Sequence, residues 1–305
     1  MAIPRTRDRR YNCNYWVSEK KMNHQLSASW PVVLSIAGFD PSSGAGIAAD
    51  LKTFAAHGCY GVAAITALTI QNTQGVTALY PTEPTVVKDT IAALLADGHV
   101  KAIKVGMLAN RANAEVVSEI LESNSPLPSV LDPVFHSSNG RDLADAACQE
   151  FVREQLIKRA SVITPNLVEA SALTGLRVEN LEAMKSAARK LVEMGARAVV
   201  VTGGHLDKAI DVLCDGSALE VFMGDRVKPE NTHGTGCTFS SAIAANLALG
   251  RQLRDAVVLA KAYVTEAIRK AYVVGPGRVP LNHFYRMTQP SRLADHSAAV
   301  SEPVP

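Results

Sequence analysis

The sequence predicts an α/β protein of three layers, with a central, mainly parallel sheet between two layers of helices. Short apolar runs rich in Val, Ile and Ala alternate with segments whose apolar residues recur at helical spacing, from residue 32 to about residue 272. Strands that alternate with helices require right-handed crossovers, which produce parallel strands covered on both faces. The body contains no linker and no internal repeat, so it is predicted to be one domain.

The elements follow one another in a regular order. Strands are predicted over residues 32–37, 61–70, 102–106, 129–132, 161–164 and 198–202, with a hairpin over 209–222 that turns at Asp215 and Gly216. Helices are predicted over residues 46–57, 86–96, 112–121, 143–158, 181–194, 235–249 and 253–272. Residues 61–70 are apolar on both faces, which is typical of a central strand covered by helices.

Composition excludes several classes of protein. The net charge of +2 includes a cluster of arginines near the N-terminus, so the body is almost neutral, which argues against a nucleic-acid surface. The five cysteines include no C-x-x-C pair, which favours a reducing cytoplasm over a disulfide framework or a zinc site. No apolar run reaches the ~18 residues of a membrane span.

The two ends are predicted to be peripheral to a body at residues 31–287. Residues 1–30 show no apolar period and are either a flexible extension or a stretch upstream of a true start at Met22. Residues 288–305 are polar and contain prolines, and are expected to be disordered.

A glycine-rich turn at residues 231–238 opens a long apolar helix. Two glycines let successive backbone N–H groups point the same way, and the helix N-terminus adds partial positive charge, so the turn can bind an anion. An ordinary tight turn before a helix is the alternative. The chain has no Walker loop, and Phe239 stands where a dinucleotide-binding motif needs its third glycine.

Cys237 begins that helix. The helix dipole should lower the pKa of its thiol and make it a base or nucleophile, whereas a neighbouring phosphate should raise the pKa. A small buried residue is the other interpretation. The sequence does not decide between them.

Further polar residues follow the predicted strands, where ligands of such sheets gather. The turn at residues 38–46 either cradles a substrate or caps a helix, and Lys52 in that helix is expected to be solvated. Gln71 has a donor and acceptors that suit the edge of an aminopyrimidine, or lies in a polar loop. Asp132 and Glu169 can hold Mg²⁺ near a phosphate site. The alternative is that Asp132 is a turn residue before Pro133 and that Asn166 and Glu169 cap a helix.

Taken together, these segments resemble the hydroxymethylpyrimidine/phosphomethylpyrimidine kinases of thiamine synthesis, members of the ribokinase-like superfamily. The resemblance runs from about residue 32 to residue 284 and rests on seven ordered motifs. They are S-I-A-G-F-D-P-S-S-G-A-G from Ser35, D-L-K-T-F from Asp50, I-T-A-L with Q-N-T from Ile65, K-V-G-M-L from Lys104, D-P-V from Asp132, T-P-N-L-V-E-A from Thr164, and G-G-H from Gly203 with the 231–238 turn.

The resemblance implies a ribokinase-like fold, ATP as co-substrate and Mg²⁺ as cofactor. It implies that the anion hole and the catalytic position are formed by Gly234, Thr235, Gly236 and Cys237. The implied pyrimidine pocket consists of Gly38, Asp50, Gln71 and Met107. The implied nucleotide-binding residues are Asn166, Thr202, Gly204 and Thr232. The implied metal-binding residues are Asp132 and Glu169. Many relatives carry Lys where this chain has Thr202, so ATP is expected to bind here more weakly or beside another cation.

The implied reaction is ATP-dependent phosphorylation of a pyrimidine alcohol, 4-amino-5-hydroxymethyl-2-methylpyrimidine, and then of its monophosphate. Two alternatives remain: a pyridoxal or pyridoxine kinase, and a non-catalytic pyrimidine sensor on the same fold. The intact turn at residues 234–237 counts against the sensor. The superfamily also implies a possible homodimer formed through exposed sheet edges.

Overall fold

The computed structural model describes residues 30–137, 139–204, 206, 208–229 and 231–287. The described residues from Pro31 onward belong to one compact unit. The predicted disordered tail at 288–305 and all but the last residue of the predicted extension at 1–30 lie outside the described residues. Among the helices in the described part of the chain, none is long and apolar enough to cross a membrane.

Within the described residues, nine strands form one sheet and two short strands form a second. The strands are β1 (Val32–Phe39), β2 (Tyr60–Asn72), β3 (Gly75–Pro81), β4 (Val100–Val105), β5 (Ser129–Leu131), β6 (Val162–Ile163), β7 (Val199–Gly203), β8 (Ala209–Cys214), β9 (Leu219–Gly224), β10 (Thr232–His233) and β11 (Val279–Pro280). The large sheet has the order β3-β2-β1-β4-β5-β6-β7-β8-β9, and β10 pairs with β11. Strands β2, β1, β4, β5, β6 and β7 are parallel, whereas β3, β8 and β9 run antiparallel to their neighbours.

Helices cover both faces of the sheet, as expected for the three-layer fold. They are α1 (Gly46–Ala56), α2 (Pro84–Ala96), α3 (Arg111–Ser123), α4 (Ala146–Glu154), α5 (Leu167–Thr174), α6 (Leu181–Glu193), α7 (Thr235–Ala248) and α8 (Leu253–Arg269), with a 3₁₀ turn at Leu156–Lys158. One core lies between the sheet and helices α2 to α6, and the other between the sheet and helices α1, α7 and α8. Alternate strand residues enter the two cores: Leu34 and Ile36 of β1 enter the first, and Val33 enters the second.

The second strand is the main departure from the predicted elements. β2 continues beyond residue 70 and turns back into β3, an edge strand that the sequence analysis missed. Leu68 and Ile70 are exposed, so this half of β2 does not lie under helices on both sides. The prediction that residues 61–70 form a strand covered by helices on both faces is therefore wrong for the C-terminal part of this stretch.

Smaller differences have local causes. The helix predicted over residues 143–158 begins only at Ala146, where the Asp145 side chain accepts a hydrogen bond from the Cys148 backbone N–H and caps the first turn. The sequence analysis assigned no helix to residues 167–174. The structure has α5 there, opened by a capping box between Asn166 and Glu169.

A buried ion pair joins the layers beneath the carboxyl ends of the strands. The Asp50 carboxylate of α1 lies 3.0 Å from the Lys104 ammonium of β4, and both side chains are 0% exposed. The same carboxylate accepts hydrogen bonds from the hydroxyls of Ser35 in β1 and Ser241 in α7, each at 2.6 Å. Burial opposes the charge of Lys104, but Asp50 outweighs it and raises the pKa of the ammonium. Four elements are thus held together by one carboxylate.

Replacing Asp50 by alanine is expected to lower the free energy of unfolding by about 3–5 kcal/mol, because it leaves the Lys104 ammonium buried without its counter-charge. Urea unfolding followed by circular dichroism measures this. The matched control is Glu119→Ala, which removes the acid of an exposed pair with Lys88 and should cost no more than about 1 kcal/mol. Equal losses for the two variants would contradict the assigned role of Asp50.

Candidate active site

The parallel strands bring the predicted site residues to one edge of the sheet, ordered along a line. At one end of this line are Gln71 at the end of β2, Gly38 near the end of β1, and Met107 just after β4. In the middle, Asp132 follows β5. At the other end are residues after β6 and at the end of β7. This order would place a substrate, a phosphate group and a nucleotide side by side.

The turn between β1 and α1 is organised by Asp40. The residue is 3% exposed, and its carboxylate accepts hydrogen bonds from the backbone N–H groups of Ser42, Gly44 and Ala45, at 2.8, 3.1 and 2.9 Å. Lys52 was expected to be solvated, but its ammonium donates to the Ser43 carbonyl oxygen at 2.8 Å. That expectation is wrong because the turn folds back over α1 and presents a carbonyl to the lysine.

A second turn, ending at Gly234, leads into α7 and packs directly against the first. Gly234 has a φ of +84°, and a Cβ there would overlap the carbonyl oxygen of Gly44. No side chain caps the first turn of α7, and its first intrahelical bond joins the Thr238 N–H to the Gly234 carbonyl oxygen. The N–H groups of Thr235, Gly236 and Cys237 therefore have no acceptor within the helix. They are available to an anion.

Cys237 lies in this first turn, and the residue as a whole is partly exposed. Burial of the thiol raises its pKa to about 12, although the Lys104 ammonium and the Gly46 N–H act in the opposite direction. The helix dipole was expected to lower this pKa. The sequence left the net direction open, and in the structure desolvation and the nearby carboxylates of Asp132 and Asp50 raise the pKa. At neutral pH the resting thiol keeps its proton.

Asp132 and Glu169 form a buried acidic pair beside α7. They are 4% and 5% exposed, and the Ser240 hydroxyl donates to Asp132 at 3.2 Å. Burial raises the pKa of Asp132 to about 6 despite the opposing effect of Lys104. Burial and the charge of Asp132 raise the pKa of Glu169 well above its usual value. Such a pair favours a proton or a cation.

The predicted nucleotide residues come together in part. The Thr202 N–H donates to the Pro165 carbonyl oxygen at 2.9 Å, which brings β7 beside Asn166. A Cβ at Gly204 would meet no atom within 4 Å, so space is open there. Thr232 instead lies with the α7 turn, where its hydroxyl is 3.0 Å from that of Thr235. The Asn166 side chain caps α5, as the alternative interpretation expected.

On the substrate side, Gly38 and Met107 are in contact, since a Cβ at Gly38 would overlap the Met107 side chain. Gln71 lies at the end of β2 and is partly exposed. Asp50 is different. Its carboxylate is fully buried and already has three donors, so direct contact with a substrate stays an untested prediction. The structure favours an indirect role, in which Asp50 holds Lys104 and α7.

Sequence reasoning missed three contributors: Lys104, Asp40 and His233. Lys104 had a visible signal, because a lysine within the apolar run of β4 is unusual unless it is paired. Asp40 and His233 are distant in sequence, and only the packing of the two turns brings their side chains to 2.8 Å.

Comparison with known proteins agrees with this geometry. The family model described as phosphomethylpyrimidine kinase matches residues 40–282. The chain belongs to the phosphomethylpyrimidine kinase family. The hydroxymethylpyrimidine/phosphomethylpyrimidine kinase of Aquifex aeolicus is 45% identical over 248 residues, which cover 81% of this chain and 97% of the relative. The chain is accordingly a phosphotransferase.

Solved structures of related kinases share the fold. A pyridoxal kinase of Bacillus subtilis in complex with ADP has a TM-score of 0.76 and 36% identity, with 84% of this chain and 98% of the other covered. A phosphomethylpyrimidine kinase of Clostridium difficile has a TM-score of 0.70 and 39% identity, covering 78% and 99%. Membership of the ribokinase-like superfamily, suggested by the sequence motifs, is confirmed.

The raised pKa of Cys237 predicts how this thiol reacts with iodoacetamide. Because the thiolate is the reactive form, alkylation should accelerate about tenfold for each pH unit between about pH 7 and pH 9, with no plateau. Mass spectrometry of the peptide that contains Cys237 measures the rate. A free peptide of residues 231–240 is the control, and its rate should level off near the ordinary thiol pKa of about 8.5. A plateau below pH 9 in the folded protein would contradict the raised pKa.

Proposed function

We propose that this enzyme transfers the γ-phosphoryl group of ATP to the hydroxymethyl group of 4-amino-5-hydroxymethyl-2-methylpyrimidine, and then to the resulting monophosphate, in thiamine synthesis. The observation that carries the proposal is the uncapped first turn of α7, which lies against the turn after β1 at Gly44 and beside Asp132 after β5. Phosphoryl transfer spreads negative charge over the moving oxygens, and fixed amides can stabilise it there. The names of the relatives support the choice of substrate.

We propose that Gln71 binds the edge of the pyrimidine while Gly38 and Met107 contact its ring. The amides of Thr235, Gly236 and Cys237 would hold the transferring phosphoryl group. Asn166, Thr202, Thr232 and Gly204 would lie along the nucleotide. The pyridoxal kinase of Bacillus subtilis was solved as an ADP complex, which supports a nucleotide as the co-substrate of this chain.

Asp132 and Glu169 would hold Mg²⁺. Their oxygen donors suit this ion, and their raised pKa values reflect buried negative charge that a cation would neutralise. No cluster of three or more His, Cys, Asp or Glu side chains in the described part of the chain could hold a metal alone. Phosphate oxygens and water would therefore complete the coordination, and the ion would balance charge on the phosphates.

The role proposed for Cys237 is positional. A thiol whose pKa is near 12 is a poor resting base. A loose phosphoryl-transfer transition state demands little from a base, so the substrate hydroxyl can lose its proton late. Cys237 would keep that hydroxyl in line with the phosphoryl group.

A homodimer and a cytoplasmic location complete the proposal. Leu68, Ile70 and Tyr80 form an exposed apolar face on the β2–β3 edge, and a second copy of the chain would cover it. Sedimentation equilibrium with Leu68→Glu tests this.

Four cysteines in the described residues are free thiols, which fits a reducing compartment.

Pyridoxal phosphorylation is a second candidate function, favoured by the likeness to a pyridoxal kinase at 36% identity. Pyridoxal is also a small ring that carries a hydroxymethyl group. The two activities can share one pocket, so both substrates belong in the decisive assay.

Mass analysis of products from the purified protein, ATP and Mg²⁺ tests the proposed function. We expect the pyrimidine alcohol to yield the monophosphate and then the diphosphate, and EDTA to stop both steps. If only the monophosphate formed after prolonged incubation, the proposed second phosphorylation would be wrong. No product from the pyrimidine alcohol, with product from pyridoxal, would replace the proposal by the second candidate.

Two glycine variants test the amide pocket. Gly234→Ala places a Cβ against the Gly44 carbonyl at a φ that favours glycine, so it should move the amides and lower kcat/KM by at least about 100-fold. Gly236→Ala is the control, because its Cβ would lie 3.8 Å from the nearest oxygen of Asp132 and the backbone N–H remains. Its loss should stay below about tenfold. The pocket assignment fails if both variants lose activity equally.

A further inference from the structure

His233, in the turn before α7, contacts two residues of the substrate side at once. Its Nε2 lies 2.8 Å from Oδ2 of Asp40 and 2.9 Å from the side-chain amide of Gln71. The ring also packs on Gly44, where a Cβ would overlap it. His233 is 12% exposed and Asp40 is 4% exposed at their side chains, so both groups are largely shielded from water.

Asp40 determines which ring nitrogen of His233 carries a proton. Burial opposes ionisation of Asp40, but hydrogen bonds from His233 and Ser42 outweigh it and hold the pKa of the carboxyl below its usual value. An ionised carboxylate only accepts hydrogen bonds. Nε2 of His233 must therefore be an N–H donor, and any further partner of this nitrogen must be an acceptor.

Thr69 imposes the same condition on the other end of the Gln71 amide. The Thr69 hydroxyl donates its only proton to the Phe39 carbonyl oxygen at 3.0 Å. It lies 3.3 Å from the Gln71 amide and can only accept there. The two ends of an amide are told apart by their partners. In the structure the Gln71 amide nitrogen lies beside His233 and the amide oxygen beside Thr69. Both neighbours favour the reverse assignment of these two atoms, with the oxygen toward His233 and the NH₂ toward Thr69.

We propose that His233 is a positioning residue that fixes the orientation of the Gln71 amide and so determines which ring the site prefers. The inference rests on the proposed function, in which Gln71 binds the ring. An aminopyrimidine edge presents an amino donor beside a ring-nitrogen acceptor, so it matches an amide in one orientation only. A ring hydroxyl, as in pyridoxal, both donates and accepts and tolerates either orientation.

The substitution His233→Phe keeps a ring on Gly44 but removes the N–H. The kcat/KM for the pyrimidine alcohol, divided by that for pyridoxal, should fall about tenfold, which is the effect of one lost oriented hydrogen bond. The change should lie in KM for the alcohol, with KM for ATP unchanged. His233→Gln retains a donor of similar reach, so the ratio should stay within about threefold of the parent value.

Three results distinguish the possible failures. A parallel loss for both substrates in His233→Phe would assign His233 a structural role only and overturn the inference. Absence of turnover of the pyrimidine alcohol by the parent enzyme would overturn the proposed function instead. Long-range ¹H–¹⁵N correlation spectra of the unmodified protein test the hydrogen-bond assignment even if the variant fails to fold. They should show a proton on Nε2 of His233, and an unprotonated Nε2 would overturn the inference.

Discussion

The site depends on the close approach of two backbone turns, one after β1 and one before α7. Gly234 lies so near the Gly44 carbonyl that no side chain fits between them. His233 and Asp40 join the same two turns through a hydrogen bond of 2.8 Å. This contact holds the first turn of α7 beside the turn after β1. If the turns separated, the proposed amide pocket and the proposed ring-binding residue Gln71 would no longer lie side by side.

Beneath this contact, a charged network supports α7 from the core. Asp50 binds Lys104 and the Ser241 hydroxyl, which lie on β4 and α7. The Lys104 ammonium also acts on Asp132 and Cys237, where it opposes the effect of burial on both pKa values. A buried positive charge below the proposed anion site would therefore serve structure and electrostatics together. Asp50 acts from within the core, because its carboxylate is fully buried.

The ionisation of Asp132, Glu169 and Cys237 affects how strongly the proposed site would repel a nucleotide. With no cation bound, burial raises the pKa of Asp132 to about 6 and that of Glu169 well above its usual value, and Cys237 keeps its proton. Burial therefore opposes negative charge on all three groups. Less repulsion would then meet an arriving nucleotide than three fully ionised groups would produce. Acidic groups that become negatively charged only when a cation binds do not repel a polyanion beforehand.

Much of this protein was determined by sequence alone. The alternation of strands and helices predicted the three layers, because parallel strands need crossovers. Glycines in the 38–46 and 231–238 turns marked two neighbouring parts of the proposed site, because a Cβ at Gly44 or Gly234 would overlap the other turn. Tertiary structure decided what depends on distance and burial. Contacts between residues far apart in the chain raise the pKa of Cys237, bury Asp50 and pair His233 with Asp40. No local sequence pattern predicts how completely water is excluded from these contacts.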